Sequence, residues 1–446
     1  MTSRISAKQF MQLVRHNQAD ILDAFHNGRL AYNRWEPLVK AFLWANYENV
    51  SFSVSGTLRG VTIGVKDLID VRGMPTTAGS NAYHFSPPQD AIMVQRLRQQ
   101  GAIITGKTNT QELAYGVITP PTRNPWNPKF IPGGSSGGSA VAVATGMVQI
   151  GLGTDTGGSI RIPASCCGVI GFKPSYGRIS LQGVMPLSYT LDHAGILAGT
   201  TEDIEEIFLA VQEPLNLSQS PQSKEGSALK KKLAVPLSYI RHHADRSVVE
   251  RFSTLLERFQ DRGWHVDSID MPLWQTWKHL QLSIRLPEAY HIHRDILESE
   301  RRTLLKGDLA DRLLMGKTIL AHDYVAALRQ REILIQQWQA ILHDFDGLIM
   351  PTLPVPPPAI GCEEKVTING AQIPTWDAMV VMTAPWNVVG FPAISLPWYY
   401  TEDSIPMGIQ FVSTLYADDR LLQLARSVQD EILDAPKSFP DWDCAR

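Results

Sequence analysis

Three stretches of this sequence hold residue types that can do chemistry. They are Gly133-Gly134-Ser135-Ser136-Gly137-Gly138-Ser139, Gly153-Thr154-Asp155-Thr156-Gly157-Gly158-Ser159-Ile160-Arg161, and Lys66-Asp67. Small residues let backbone N–H groups come close to a ligand, and consecutive glycines can aim several of them at one oxygen. Binding of an anion or an oxyanion is the chemistry that follows. Taken singly, either glycine-rich stretch is equally a tight turn between buried elements. Both carry hydroxyls, however, and the second adds Asp155 and Arg161, which packing alone does not require.

The elements around these stretches must place them. Leu58 to Lys66 is rich in β-branched residues and predicts a strand that delivers Lys66-Asp67 at its end. Alternation along Val61 to Asp67 puts Thr62, Gly64 and Lys66 on one face and Asp67 on the other. The run AVAVATGMVQI after Ser139 predicts a buried helix, with the two glycine-rich loops flanking it. Helix over Ala91 to Gln100 and strand over Ala102 to Thr105 extend an alternation that favours an α/β architecture. Residues up to about Asn49 read as helical, with Phe10, Leu13, Val14, Ile21, Leu22 and Phe25 at helical spacing.

Further along, Thr201 is expected to cap a helix carrying Ile204, Ile207, Phe208 and Val211. Glu213 to Ala228 reads as a surface loop, Leu233 to Leu237 as a strand, and Val248 to Phe259 as an amphipathic helix stopped at Gly263. Trp274 to Leu342 looks mainly helical, and PTLPVPPP at Pro351 to Pro358 reads as a stiff loop leaving a strand. The expectation is one domain over 1–446, with a largely helical insertion at 213–344.

Several literal motif matches lead elsewhere and fail on context. Gly101 to Thr108 spells the phosphate-loop pattern G-x-x-x-x-G-K-T, but its four middle residues, Ala-Ile-Ile-Thr, are the most strand-like part of the region. Gly134-Ser135-Ser136-Gly137-Gly138 matches a nucleophile elbow centred on Ser136, yet the residues before it contain three prolines and cannot form the central strand an elbow needs. His193 lies near the glycine-rich block without a partner to make it a base. Cys166-Cys167 reads as a pair of small buried residues.

Composition narrows the class. The 41 Lys and Arg against 44 Asp and Glu leave a net charge of −3, which offers no field for a nucleic-acid backbone. A charged fraction of 19 % with 44 % hydrophobic residues suits a large buried core. Cys166, Cys167, Cys362 and Cys444 show neither metal-ligand spacing nor a disulfide framework, so no metal or cofactor is expected and a reducing compartment is the default. Residues 1–20 are charged throughout and lack the apolar run of a secretory signal, so a cytoplasmic protein is expected. The charge-free run Ile131 to Thr154 is long enough to span a bilayer but dense in glycine, and reads as a buried helix, with no membrane partner.

The sequence resembles the amidase signature family, through PGGSSGGS at Pro132 to Ser139 and GTDTGGSIRIPA at Gly153 to Ala164. The likeness extends to Gly64 to Asp67, Thr76 to Ser80, Gly106 to Asn109, Gly171 to Pro174, Pro385 to Asn387, Gly390 to Ala393 and Pro406 to Gln410. The resemblance implies a large mixed β-sheet core flanked by helices on both faces. It also implies a Ser-Ser-Lys triad: Ser159 as nucleophile, Ser135 as relay behind a cis peptide, and Lys66 as base. The separation of 24 residues between Ser135 and Ser159 fits the family register and distinguishes Ser135 from Ser136.

Protonation then sets requirements. A lysine with its reference pKa near 10.4 cannot accept a proton at neutral pH, so Lys66 must be buried and kept neutral. Lys66 would draw the proton from Ser135, which draws it from Ser159. N–H groups of Thr156, Gly157, Gly158 and Ser159 would hold the tetrahedral intermediate, while Asp155 and Arg161 fix the loops. The expected reaction cleaves a carboxamide C–N bond through a Ser159 acyl-enzyme, releasing ammonia or an amine and a carboxylic acid.

The substrate is a small-molecule amide whose acyl pocket is expected from the insertion, the loop Gln111 to Arg123 and the aromatics Trp376, Trp386, Trp398, Tyr399 and Tyr400, which equally suit a core. Glu112 to Gly116 with Thr122 to Trp126 resembles the glutaminase component of the tRNA-dependent amidotransferase, which would deliver ammonia to a partner subunit. Ureide hydrolysis of the carboxybiuret or allophanate type is a further alternative, and a homodimer is left open. A non-enzymatic scaffold is disfavoured because all three triad positions are filled.

Overall fold

The computed structural model describes residues 6–16, 18–48, 55–215 and 228–431. Thirteen strands occur among them: β1 (Phe42–Ala45), β2 (Thr62–Lys66), β3 (Ile103–Thr108), β4 (Ile150–Asp155), β5 (Ile170–Lys173), β6 (His193–Ala198), β7 (Lys232–Val235), β8 (His265–Ser268), β9 (Gly347–Pro351), β10 (Lys365–Ile368), β11 (Ala371–Pro374), β12 (Ala393–Tyr400) and β13 (Pro406–Val412). Eleven form one sheet in the order β1-β3-β2-β4-β6-β5-β12-β13-β9-β7-β8, and β10-β11 is a separate hairpin. The sheet is mixed. β3, β2 and β4 run parallel, as do β9, β7 and β8, whereas β4-β6-β5-β12-β13-β9 is antiparallel.

Helices cover both faces, as adjacent residues of β5 show. A Cβ on Gly171 would meet Ala164 Cβ of the helix Arg161–Cys167 at 2.6 Å, while Phe172, pointing the other way, packs edge-on against Phe208 of the helix Thr201–Val211. The central strands β2, β3, β4, β5 and β6 are buried at every position, which is why they read as continuous apolar or small runs instead of alternating ones.

Several boundaries differ from the sequence reading. Residues Phe42 to Ala45, expected in a helix, form an edge strand, because the helix Asp23–Val39 ends at Lys40, whose φ of 51° turns the chain out of it. Gly151 to Asp155, read as loop from their glycines, are strand β4. Two neighbours press there, since a Cβ on Gly151 would meet Ser139 Cβ at 3.1 Å and one on Gly153 would meet Ser136 Oγ at 2.8 Å. The glycines therefore admit the helix Gly137–Ala144 close to the sheet. Thr200, not Thr201, caps the helix Thr201–Val211, accepting from Asp203 N. The 213–344 segment supplies β7 and β8 at one edge of the sheet besides its long helices Arg246–Asp261, Trp277–Leu297 and Ala321–Leu342. Most of the loop expected over Glu213 to Ala228, and Cys444, lie outside the described residues.

The phosphate-loop match is buried strand: Ile103 to Thr108 is β3, and Lys107 pairs at 2.9 Å with Asp67 in the interior. Among the described residues no helix is long and apolar enough to cross a membrane.

Candidate active site

Parallel β2 and β4 end side by side, with Val65 opposite Leu152, so Lys66 and the pair Thr154-Asp155 emerge at the same edge of the sheet. Carboxyl ends of parallel strands are where α/β folds build their sites. Lys66 Nζ lies 2.7 Å from Ser135 Oγ and 2.8 Å from Thr154 Oγ1, all of it buried. Burial pushes the Lys66 pKa down to about 7, against the opposing pull of the Asp155 and Asp192 carboxylates. Asp67 takes no part: it binds Lys107 and Thr77 on the other side of the strand end.

Ser135 follows a cis peptide bond from Gly134. Its neighbour Ser136 donates through Oγ to Thr154 O and through N to Ser159 O at 3.0 Å, which fastens the first glycine-rich loop to the second. Ser135 and Lys66 are wholly buried whereas Ser159 is 8 % exposed, so of the three only Ser159 has access to an incoming molecule. Among the described residues no hydrogen bond joins Ser159 Oγ to Ser135 Oγ; catalytic contacts commonly tighten only when substrate is bound.

The turn Thr156 to Ile160 is wound around Asp155. Its carboxylate accepts from the N–H of Gly158 at 2.8 Å and of Ile160 at 3.1 Å, and from Arg161 Nη2 at 2.9 Å and Nε at 3.1 Å. Burial alone would raise its pKa, but the Arg161 guanidinium more than reverses this and holds the Asp155 carboxyl well below the usual carboxylate range. Arg161 also donates to Thr383 O, Gln410 Oε1 and Asn387 Oδ1, and Asn387 Nδ2 returns to Asp155 at 2.8 Å. Both side chains are therefore spent on scaffolding.

One expected oxyanion donor is withdrawn by this geometry. The single N–H of Gly158 points at Asp155 and is not available to a substrate oxygen. Thr156, Gly157 and Ser159 make no such bond among the described residues and remain. Gly158 has φ +131°, and a Cβ there would meet Thr383 Oγ1 at 2.2 Å, so the turn needs glycine at that position. Thr383 in turn donates to Gly157 O at 2.6 Å.

Four parts of the site escaped the sequence reading. Thr154, which binds Lys66, was hidden in residues read as loop. Asp192 accepts from Thr156 Oγ1 at 2.6 Å and from Leu187 N at 2.7 Å, and burial holds its carboxyl up to about 6 against these bonds. Nothing in its local spacing marked it. Thr383 and Gln410 reach the site only through the tertiary fold. Gln281, Arg285 and Glu288 form a polar stripe at helical spacing on the buried side of Trp277–Leu297, a periodicity that was there to be read. Glu288 accepts from Ser188, Thr190 and Tyr324 and so ties this helix to the Asp192 loop.

A cleft of about 60 Å³ opens beside Gly157, lined by Tyr239, Trp277, Gln281, Trp376, Val380 and Ala384 among others. Of the aromatics expected around an acyl pocket, Trp376 lines it. Trp386 is instead packed against Trp338 in the core and Trp398 against Phe252, while the half-buried Tyr399 and Tyr400 pack against Trp398 and Trp126. The loop Gln111 to Arg123 contributes Tyr115, stacked on Trp376. Cys166 and Cys167 are buried with thiols pushed up by desolvation, and His193 is buried with Nδ1 2.8 Å from Leu191 O, so none of them joins the site.

A mixed sheet with a buried lysine-serine pair at its edge and a glycine turn beside it defines the class, and comparison with known proteins agrees. Residues 38–422 match the family model described as Amidase. The chain is 36 % identical over 360 residues to an amidase of Pseudomonas putida, covering 78 % of this chain and 77 % of that one. It is 32 % identical over 412 residues to a glutamyl-tRNA(Gln) amidotransferase subunit of Clostridium botulinum, covering 84 % of each. A crystal structure of an amidase superposes with a TM-score of 0.87 at 31 % identity, covering 96 % of this chain and 100 % of that one. The chain belongs to the amidase signature family and is a hydrolase acting on amide C–N bonds.

Proposed function

We propose that Ser159 is the nucleophile of this amidase, Ser135 the proton relay and Lys66 the base. The observation that carries the reading is the 2.7 Å contact of Lys66 Nζ with Ser135 Oγ in an interior that favours the neutral amine. A neutral amine accepts the Ser135 proton as Ser135 takes that of Ser159, and Ser159 Oγ adds to the substrate carbonyl. The N–H groups of Thr156, Gly157 and Ser159 face the developing oxyanion; removing one such donor typically costs about 3 kcal/mol of transition-state stabilisation. The relay run in reverse protonates the leaving nitrogen, and water releases the carboxylic acid. Asp155 and Arg161 hold the turn, and Asp192 holds Thr156.

Fluorophosphonate labelling mapped by peptide mass spectrometry tests the assignment. The expected adduct is on Ser159 and disappears in Ser159→Ala; an adduct confined to Ser136 would overturn it. A panel of amides with product identification then reads the acyl group. The likeness to an amidotransferase subunit, together with Glu112 to Gly116, supports a second reading in which glutamine is the amide and a partner subunit receives the ammonia. Glutamine turnover that depends on an added partner would support that reading, and efficient turnover of simple amides by the chain alone would oppose it. A ureide in the panel tests the remaining alternative.

A further inference from the structure

Gln281, Arg285 and Glu288 lie on the buried side of Trp277–Leu297, and the last two are engaged. Glu288 accepts from Ser188, Thr190 and Tyr324. Arg285 is hydrogen-bonded to Tyr115 and drawn by the Asp377 carboxylate. Gln281 differs from both. It is 4 % exposed, and its Nε2 has no hydrogen-bond partner among the described residues. Its side chain lines the cleft, with Nε2 3.6 Å from where a Cβ on Gly157 would lie, and no other side chain comes nearer to that position.

An amide N–H shut away from water without an acceptor is costly, and a donor kept in that state at the wall of a cleft is prepared for one that arrives from outside. Other polar groups of the lining are already satisfied. Tyr239 donates through its hydroxyl to Val381 O at 2.6 Å, and Trp277 Nε1 donates to Pro272 O at 3.0 Å. Lys278 and Asp377, which also line the cleft, pair with each other at 2.7 Å. The remaining walls include Leu282, Val380 and Ala384, which offer only apolar contact.

We propose that Gln281 is a specificity-determining residue that donates to a hydroxyl or carbonyl oxygen carried by the acyl group within two carbons of the scissile carbonyl. The preferred substrates are then short, neutral amides bearing such an oxygen. The apolar walls take the carbon chain, and the Lys278–Asp377 pair leaves an ionised acyl group no free partner at the lining. At about 60 Å³ the cleft has room for a handful of heavy atoms. This rests on Ser159 being the nucleophile, two residues from Gly157.

Isosteric pairs give the readout: kcat/KM for lactamide over isobutyramide, and for 3-hydroxybutyramide over 3-methylbutyramide, each pair differing by a hydroxyl in place of a methyl group. In the wild type at least one ratio should reach threefold or more, and about 10-fold is expected for a buried donor that gains its acceptor. That ratio should fall at least threefold in Gln281→Met, and likewise in Gln281→Leu, with melting temperatures checked for folding. Wild-type ratios below threefold in both pairs overturn the inference without any variant. So does a Gln281→Met enzyme that loses activity equally on both members of a pair, because the carboxamide would then support the turn and not read the acyl group. Fluorophosphonate labelling separates this from failure of the nucleophile assignment. Labelling of Ser159 with flat ratios sinks the role of Gln281 and leaves the nucleophile standing, whereas no labelling of Ser159 sinks both.

Discussion

Lys66 Nζ and Ser135 Oγ stand 2.7 Å apart with both residues fully buried, so the proposed base and the proposed relay are in contact before any substrate arrives. In the proposed relay only the last step, to Ser159, waits for the bound state. The chemistry therefore depends on the charge of one amine in a dry site.

That dependence has a sign. Lys66 accepts a proton only when neutral, and burial brings its pKa to about 7. As pH falls through about 7 the ammonium form takes over and kcat/KM should drop by about one log unit per pH unit. A pH–rate profile checks this, and a profile flat from pH 5 to 8 would exclude Lys66 as the base. Ser159→Ala should abolish amide hydrolysis, and Lys66→Ala should lose about 100-fold or more; full activity in either purified variant contradicts the assignment.

Asp192 acts on the same amine from a distance. Its carboxylate raises the Lys66 pKa, so Asp192→Asn should move the acid limb of the kcat/KM profile to lower pH. The lost bond to Thr156 Oγ1 should also lower kcat. A lower kcat with the limb unmoved would make Asp192 a purely structural residue.

The two glycines of the turn should respond differently. At Gly158 a methyl group collides with Thr383 Oγ1 at 2.2 Å on a backbone of φ +131°, whereas at Gly157 it meets nothing closer than 3.6 Å. Gly158→Ala should lose most activity and stability, while Gly157→Ala should fold as the wild type does and alter only what enters the cleft. Equal melting temperatures for Gly158→Ala and the wild type would contradict the close approach.

Asp155 and Arg161 form an ion pair with no exposure on either side. Removing one partner leaves the other charged and desolvated, so Asp155→Asn should cost about 3–5 kcal/mol in chemical denaturation. The turn that carries Ser159 should loosen with it, and nucleophile labelling should slow. A cost under about 1 kcal/mol would mean that the pair contributes little.

How much of this was legible beforehand follows from which interactions are local. The helices at 92–99 and 246–261 and the strands at 62–66 and 347–351 could be read because hydrophobic spacing and β-branching act within a few residues. The glycine-serine blocks stood out because close backbone approach demands small residues wherever it occurs. Yet the same glycines misled at β4, where they make room for a helix packed across the strand instead of opening a loop. Composition cannot distinguish the two, since a missing Cβ looks the same whether it frees a turn or admits a neighbour.

By itself the sequence determined the residues proposed for the chemistry, Lys66, Ser135 and Ser159, and the glycines around them. Tertiary structure alone decided that Thr154 meets Lys66 and that Asp192 meets Thr156, and with them that Gly158 spends its N–H on a carboxylate pinned by Arg161 and Asn387. The contacts of Lys66 with Thr154 and of Thr156 with Asp192 join groups 88 and 36 residues apart in a dry interior. There the loss of water turns a distance into a pKa, and no local pattern encodes that loss.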